Sequence, residues 1–156
     1  MRALRTRQAL LAAWLLGTSL LSQPAQAGTD IDTLFIWHSG TVAGTEQDCT
    51  LLLGIDSQGQ AVQGMKLKLA LSNGSGQVIA RNEISVADFG HNESRRYGEG
   101  RWSHPAFCGG QRQLNIEQAR ARVLGKQFDL LARELLDIDD FKPMPMQLGQ
   151  RKPSSK

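Results

Sequence analysis

Seven consecutive residues, Met65-Lys66-Leu67-Lys68-Leu69-Ala70-Leu71, carry an apolar side chain at every second position and a lysine at two of the positions between. Side chains of an extended chain point alternately to opposite faces, so this spacing predicts a strand with one buried face and one wet face. A helix would scatter Met65, Leu67, Leu69 and Leu71 around its circumference. Burying four such side chains is worth about 6–12 kcal/mol gross, before the entropy of ordering the chain.

The flanking segments repeat the theme. Asp32–Trp37 is rich in aromatic and β-branched residues and reads as a first strand, broken by Gly40–Gly44. Cys49–Ile55 is a short apolar strand that ends at the turn sequence Asp56-Ser57-Gln58-Gly59. Asn73-Gly74-Ser75-Gly76 supplies the positive-φ residues of a tight reversal, and Gln77–Val86 returns as strand. The two Asn-x-Ser sequences, at Asn73 and Asn92, are read as turn chemistry. Residues 90–111, with five glycines, Pro105 and the Ser94-Arg95-Arg96-Tyr97 cluster, are expected to form a long surface connection with one short strand. Leu114–Val123 alternates with a slip at Gln118, which predicts a bulged strand. Leu124-Gly125-Lys126-Gln127 reads as a hairpin turn. Phe128–Leu136 fits a helical face as well as a strand; the preceding hairpin favours a strand over 128–132 and a bend over 133–140. Phe141–Met146 is too proline-rich for a helix or a central strand, and the polar residues 147–156 are expected to be a disordered tail. Strands spaced about 12–15 residues apart and closed by Gly/Asn/Ser turns point to an all-β antiparallel sandwich more than to an α/β fold.

The first 27 residues have the order of a cleaved signal peptide: Arg2, Arg5 and Arg7, then the uncharged run Ala9–Leu21, then the small-x-small end Ala25-Gln26-Ala27. The apolar run is short of the roughly 20 residues that a spanning helix needs, and no second stretch could cross a membrane, so no insertion is expected after cleavage. The expected product, residues 28–156, is one domain over 28–146 followed by the tail, in a bacterial periplasm or secreted. The whole chain has 18 Lys+Arg against 15 Asp+Glu. The three signal arginines account for that excess, so the exported part is neutral and has no footprint for nucleic acid.

Cys49 and Cys108 are the only cysteines, and both lie in the exported part. An oxidising compartment and the absence of a Cys-x-x-Cys motif point to a single structural disulfide. His38, His91 and His104 are the only histidines and show no helical ligand spacing. No Gly-x-Ser-x-Gly elbow or phosphate-binding glycine loop is present, and the acidic run Asp137, Asp139, Asp140 lacks the alternating ligand loop of a calcium site. No catalytic residue, metal or cofactor is therefore assigned. The residues that suit a protein interface are Arg95, Arg96, Tyr97, Arg101 and Trp102, since aromatics and arginine are the usual anchors. Trp37 is expected to be the core tryptophan, with Phe107 and Phe141 the other aromatics of interest. For Trp102 a competing role is packing the loop down.

Five phrases together resemble the IrmA family: Ile36-Trp37-His38-Ser39-Gly40, Leu53-Gly54-Ile55-Asp56, Ala87-Asp88-Phe89-Gly90, Asp129-Leu130-Leu131-Ala132, and Asp140-Phe141-Lys142-Pro143-Met144-Pro145-Met146. The resemblance spans about residues 33–146. It implies a seven-strand fibronectin type III-like sandwich, a homodimer, and a function in protein binding without an active site. The family takes its name from a member described as an interleukin receptor mimic, and none of the five phrases transfers that activity to particular residues here. The expectation is an exported, non-enzymatic binding module that recognises itself or an envelope or host protein. A periplasmic chaperone or assembly factor is the alternative, and a small metal-binding protein or hydrolase comes third.

Overall fold

The computed structural model describes residues 30–44, 47–139 and 144–149. The expected signal peptide, Asp140, Phe141 and residues 150–156 lie outside the described residues. Among the described residues there are nine strands: β1 (Leu34–Ala43), β2 (Cys49–Asp56), β3 (Val62–Asn73), β4 (Val78–Val86), β5 (Tyr97–His104), β6 (Arg112–Val123), β7 (Lys126–Asp129), β8 (Leu136–Ile138) and β9 (Met146–Leu148). They form two sheets. One has the order β5-β2-β1-β8; the other has the order β4-β3-β6-β7, with β9 also paired to β6. All pairings are antiparallel except β1 with β8 and β6 with β9. The fold is a β-sandwich, and among the described residues no helix is long and apolar enough to cross a membrane.

The alternation in β3 sets the interior. Met65, Leu67, Leu69 and Leu71 are fully buried, while Lys66 and Lys68 stay exposed on the outside and both approach Glu83 of β4. Leu34, Ile36, Leu51, Leu53 and Ile55 face them from the other sheet, and Leu114, Ile116, Ala119, Ala121 and Val123 complete the layer from β6. The slip in β6 is present as a register shift: Gln118 pairs with Lys68 and Ile116 with Leu69, which leaves Glu117 as the extra residue.

The outcome differs from the sequence reading in several places. Gly40 does not end β1. Ser39 bulges out between His38 and Gly40, and the strand then continues to Ala43 opposite Cys49. The 90–111 region is more regular than expected, because Tyr97–His104 is a full edge strand of the first sheet. Two of its inner positions, Gly98 and Gly100, are glycine for lack of room: a Cβ at Gly98 would sit 2.7 Å from Phe89 Cδ1, and one at Gly100 2.7 Å from Ile84 Cδ1. The hairpin turn is confined to Leu124-Gly125, both at positive φ, so Lys126 already pairs with Val123. Strand β7 stops at Asp129 instead of residue 132, and Leu136–Ile138 in the expected bend is a strand beside β1. Gln147 and Leu148, placed in the expected tail, pair with Asn115 and Ile116 instead. Met144, Met146 and Leu148 give that segment an apolar footing against the core.

Candidate functional site

The two outer faces of the sandwich differ in kind. On the sheet of β3, β4 and β6 the outward residues are Lys66, Lys68, Arg81, Glu83, Glu117 and Arg120, with ion pairs between Arg81 and Glu117 and from both lysines to Glu83. This is an ordinary solvated surface. The sheet of β5, β2 and β1 presents aromatic rings instead. Register places Phe35, Asp56 and Tyr97 in one row across β1, β2 and β5, and Trp37, Gly54 and Glu99 in the next.

Gly54 explains how a tryptophan fits there. A Cβ at Gly54 would lie 2.3 Å from Trp37 Cε2 and Cζ2, so the indole rests directly on the backbone of β2. Tyr97 stands edge-on to it, with ring centroids 6.0 Å apart and planes at 85°. The Arg96 guanidinium lies 5.5 Å from the Tyr97 ring centre, a cation–π distance. It also forms a two-pronged contact with Asp56: Nε donates to Oδ1 at 2.8 Å and Nη2 donates to Oδ2 at 2.6 Å. Phe35, Trp37, Asp56, Gln58, Tyr97 and Asp139 together line an open groove of about 440 Å³.

The turn from β2 to β3 holds this arrangement in place. Gln58 and Gly59 both have positive φ, and Asp56 Oδ1 accepts the Gln58 backbone N–H at 2.8 Å. Ser57 donates its hydroxyl to the Arg96 carbonyl at 3.0 Å, which locks the segment carrying Arg96 against the turn. The Gln60 side chain bonds both backbone groups of Asp32 at 3.0 Å, so the chain leading into β1 is tied to the same turn. Asn92 caps the short 3₁₀ turn Glu93–Arg95 that delivers Arg96, and Asn73 receives three donors in its own reversal. Both Asn-x-Ser sequences thus serve as turns.

Of the five residues expected at an interface, Tyr97 and Arg101 lie outward on β5, and Arg95 and Arg96 lie at its entrance. Tyr97 is 59% exposed, Arg101 pairs with Glu99, and Arg95 is exposed on the 3₁₀ turn. Trp102 is not on this surface. It points inward, is 5% exposed, and packs edge-on against Phe107 at 5.0 Å. Trp37 makes the opposite exchange: expected in the core, it lies half-buried on the outer face. Phe35 and Asp56 were missed, although alternation from the inward Leu34 and Ile36 would have placed Phe35 and Trp37 together outside.

The expected disulfide joins Cys49 and Cys108, whose Cα atoms are 5.1 Å apart. The histidines do other work. His104 caps the 3₁₀ turn Pro105–Cys108 by accepting the Ala106 N–H, His91 is exposed, and His38 is buried with Nε2 3.0 Å from the Thr41 hydroxyl. Burial, partly offset by the Gly40 backbone, holds the His38 imidazole below its ordinary pKa. Among the described residues no cluster of three metal-ligating side chains occurs.

The family model of IrmA, described as interleukin receptor mimic protein A, matches residues 34–138. The chain belongs to the IrmA family. The match covers every strand from β1 to β8 and five of the six groove residues, ending one residue before Asp139. The solved structure of IrmA from Escherichia coli is similar in fold, with a TM-score of 0.59, 17% identity, and coverage of 72% of this chain and 95% of that one. No curated protein matches. The IrmA family is described by mimicry of a receptor, which places this chain among protein-interaction modules and gives no reaction.

Arg96 lowers the Asp56 pKa from 3.8, first through their hydrogen bonds, while burial opposes it. A carboxylate depressed in the folded state stabilises the fold above its unfolded pKa and loses that contribution as pH falls through the folded value. The pair's contribution is therefore complete above about pH 4 and disappears in the acid below it. In Arg96→Gln the opposing burial remains, so the Asp56 titration moves up in pH. Carboxyl-detected NMR of both proteins checks this; coincident titrations would show that the ion pair is not formed in solution.

Proposed function

We propose that this chain is an exported, non-enzymatic binding module that engages a protein partner with the outer face of the β5-β2-β1 sheet. One observation carries the reading: Trp37, Tyr97, Arg96 and Asp56 are held together on the outer face by contacts within the chain, with Tyr97 exposed, Trp37 and Arg96 half-buried and Asp56 buried beneath Arg96. Side chains ordered before association cost less entropy on binding, and aromatic and arginine anchors dominate interface energies. The signal-like first 27 residues and the Cys49–Cys108 bridge support export, with the bacterial periplasm or the medium as destination. The strand order β5-β2-β1 against β4-β3-β6-β7 supports the fibronectin type III-like form of the sandwich. The receptor mimicry for which the IrmA family is named supports a protein as partner.

The test is affinity capture from the producing organism's envelope fraction and medium with disulfide-intact residues 28–156. Tyr97→Ala should weaken retention of the specific partner by at least about tenfold, the effect of losing an anchor. Arg81→Ala, on the opposite sheet, should leave it unchanged. Partners lost with Arg81→Ala and kept with Tyr97→Ala would overturn the assignment of the face. Self-association through the same face is a narrower form of the reading; light scattering of wild type and Tyr97→Ala reads it directly.

A second reading, an assembly factor that pairs with a client's strand, draws on the sheet edges. Strands β4 and β5 each end a sheet, and Val78 and Ile79 of β4 are more than a third exposed. A proline at an outward-facing amide of β4 would block that mode and leave the aromatic face intact.

A further inference from the structure

The groove beside Trp37 combines two features that the binding reading does not use. Its walls are aromatic, and among the described residues its unpaired charge is negative. Phe35 and Trp37 come from adjacent outward positions of β1, and Tyr97 meets Trp37 at 85°, so the rings present faces in more than one direction around the opening. The face of an aromatic ring carries negative potential, and rings set at angles to one another favour a cation between them. The protein already makes one such contact here, with the Arg96 guanidinium 5.5 Å from the Tyr97 centre.

The carboxylates divide into two sets. Asp56 is neutralised by Arg96, and Glu99 by Arg101. Asp139 lines the groove and Asp137 pairs in register with Phe35; neither is in an ion pair among the described residues. Asp137 lies in β8, the short strand that extends this sheet beyond β1, and Asp139 directly follows it. Among the described residues, Arg96 and Arg101 are thus already paired, and Asp139 is left as the groove's carboxylate outside any ion pair.

We propose that the groove lined by Phe35, Trp37, Tyr97 and Asp139 receives a lysine or arginine side chain of the partner protein. This rests on the assignment of the outer sheet face as the binding surface, and it names the chemistry that the face selects. The alkyl stem lies along the rings, as basic side chains do on apolar surfaces, and the charged head reaches Asp139. An acidic or purely apolar side chain gains neither the ring potential nor the carboxylate.

The experiment uses residues 28–156 with the disulfide intact. Its two tryptophans, Trp37 and Trp102, give two indole N–H signals in NMR; the buried Trp102 is the internal control. The probes are N-acetyl-arginine amide, N-acetyl-lysine amide and the neutral N-acetyl-citrulline amide. Arginine and lysine should shift the Trp37 signal in the millimolar range and leave Trp102 still. Citrulline should bind about three- to tenfold more weakly. Asp139→Asn, an exposed change, should reduce arginine binding severalfold, and added salt should act the same way. Trp37→Leu keeps an apolar wall without the indole, and its binding is followed through the Phe35 and Tyr97 ring signals; it should weaken arginine more than citrulline. Equal binding of arginine and citrulline, or an unchanged Asp139→Asn, would overturn the proposal. A negative titration beside partner capture that still depends on Tyr97 sinks the cation site alone; capture indifferent to Tyr97 sinks the face itself.

Discussion

Replacing Cys49 and Cys108 together by alanine lowers the stability of the domain by about 4 kcal/mol. The bond closes 59 residues of chain separation, and loop-closure entropy for that length gives this figure. Against a domain stability of about 5–15 kcal/mol, such a loss decides whether the fold persists under mild denaturant. The effect acts mainly on the unfolded chain. In the folded state Cys49 is already aligned with His104 at the end of the β2–β5 ladder, and Cys108 follows one 3₁₀ turn later. Trp102 and Phe107 pack together beside that turn, so the native arrangement has its own support without sulfur. Urea unfolding with and without reductant, and of the double variant, should give the same midpoint drop in both cases. Native near-ultraviolet dichroism should survive below the new midpoint. A loss under about 1 kcal/mol would mean that the unfolded ensemble does not behave as an open chain.

Gly90→Ala is expected to be still more damaging, at least about 4 kcal/mol. Two independent constraints meet at this residue. Its φ of +83° is a conformation that a side chain disfavours, and an added Cβ would lie 1.7 Å from the Gln60 carbonyl oxygen and 2.7 Å from Ser57 Oγ. Backbone has to move, and the backbone in question is the turn that grips Asp32, Asp56 and Arg96. Gly59→Ala separates the two causes. Its φ is +81° with open space around the Cβ, so it should cost only about 1 kcal/mol. The measurements are urea midpoints for both variants, together with the Trp37 and Tyr97 ring signals. Gly90→Ala should disperse those signals before the core resonances change. If the two variants lose equal stability, the crowding around Gly90 is not real.

How much of this could be read from the chain depended on how plainly each face was marked. The Lys/Leu alternation of Met65–Leu71 specified strand, register and orientation at once, and the structure follows it residue by residue. The paired cysteines and the resemblance to the IrmA family held equally well. Leu34–His38 was harder, because both of its faces are apolar. With Leu34, Phe35, Ile36 and Trp37 in succession, composition does not say which set turns inward, and preference for a buried tryptophan selected the wrong one. Tyr97–His104 failed for a different reason. Its outer residues Tyr97, Glu99, Arg101 and Ser103 alternate well, but its first two inner ones, Gly98 and Gly100, are glycines, which look like turn residues in isolation. They are glycine because Phe89 and Ile84 reach across from elsewhere in the fold, a requirement that no local pattern records. The site was therefore half legible: Arg96 and Tyr97 stood out, while Phe35, Trp37 and Asp56 became neighbours only through pairing. Strands β8 and β9, three residues each and paired in parallel with distant strands, carry too short a pattern to announce themselves.

The paired lysines of β3 have a practical use. Lys66 and Lys68 sit on the side of the sandwich away from the rings, with both side chains more than half exposed. Amine coupling at these two positions would tether the molecule with its aromatic side toward solution, so a biosensor surface prepared that way offers the groove to a flowing analyte.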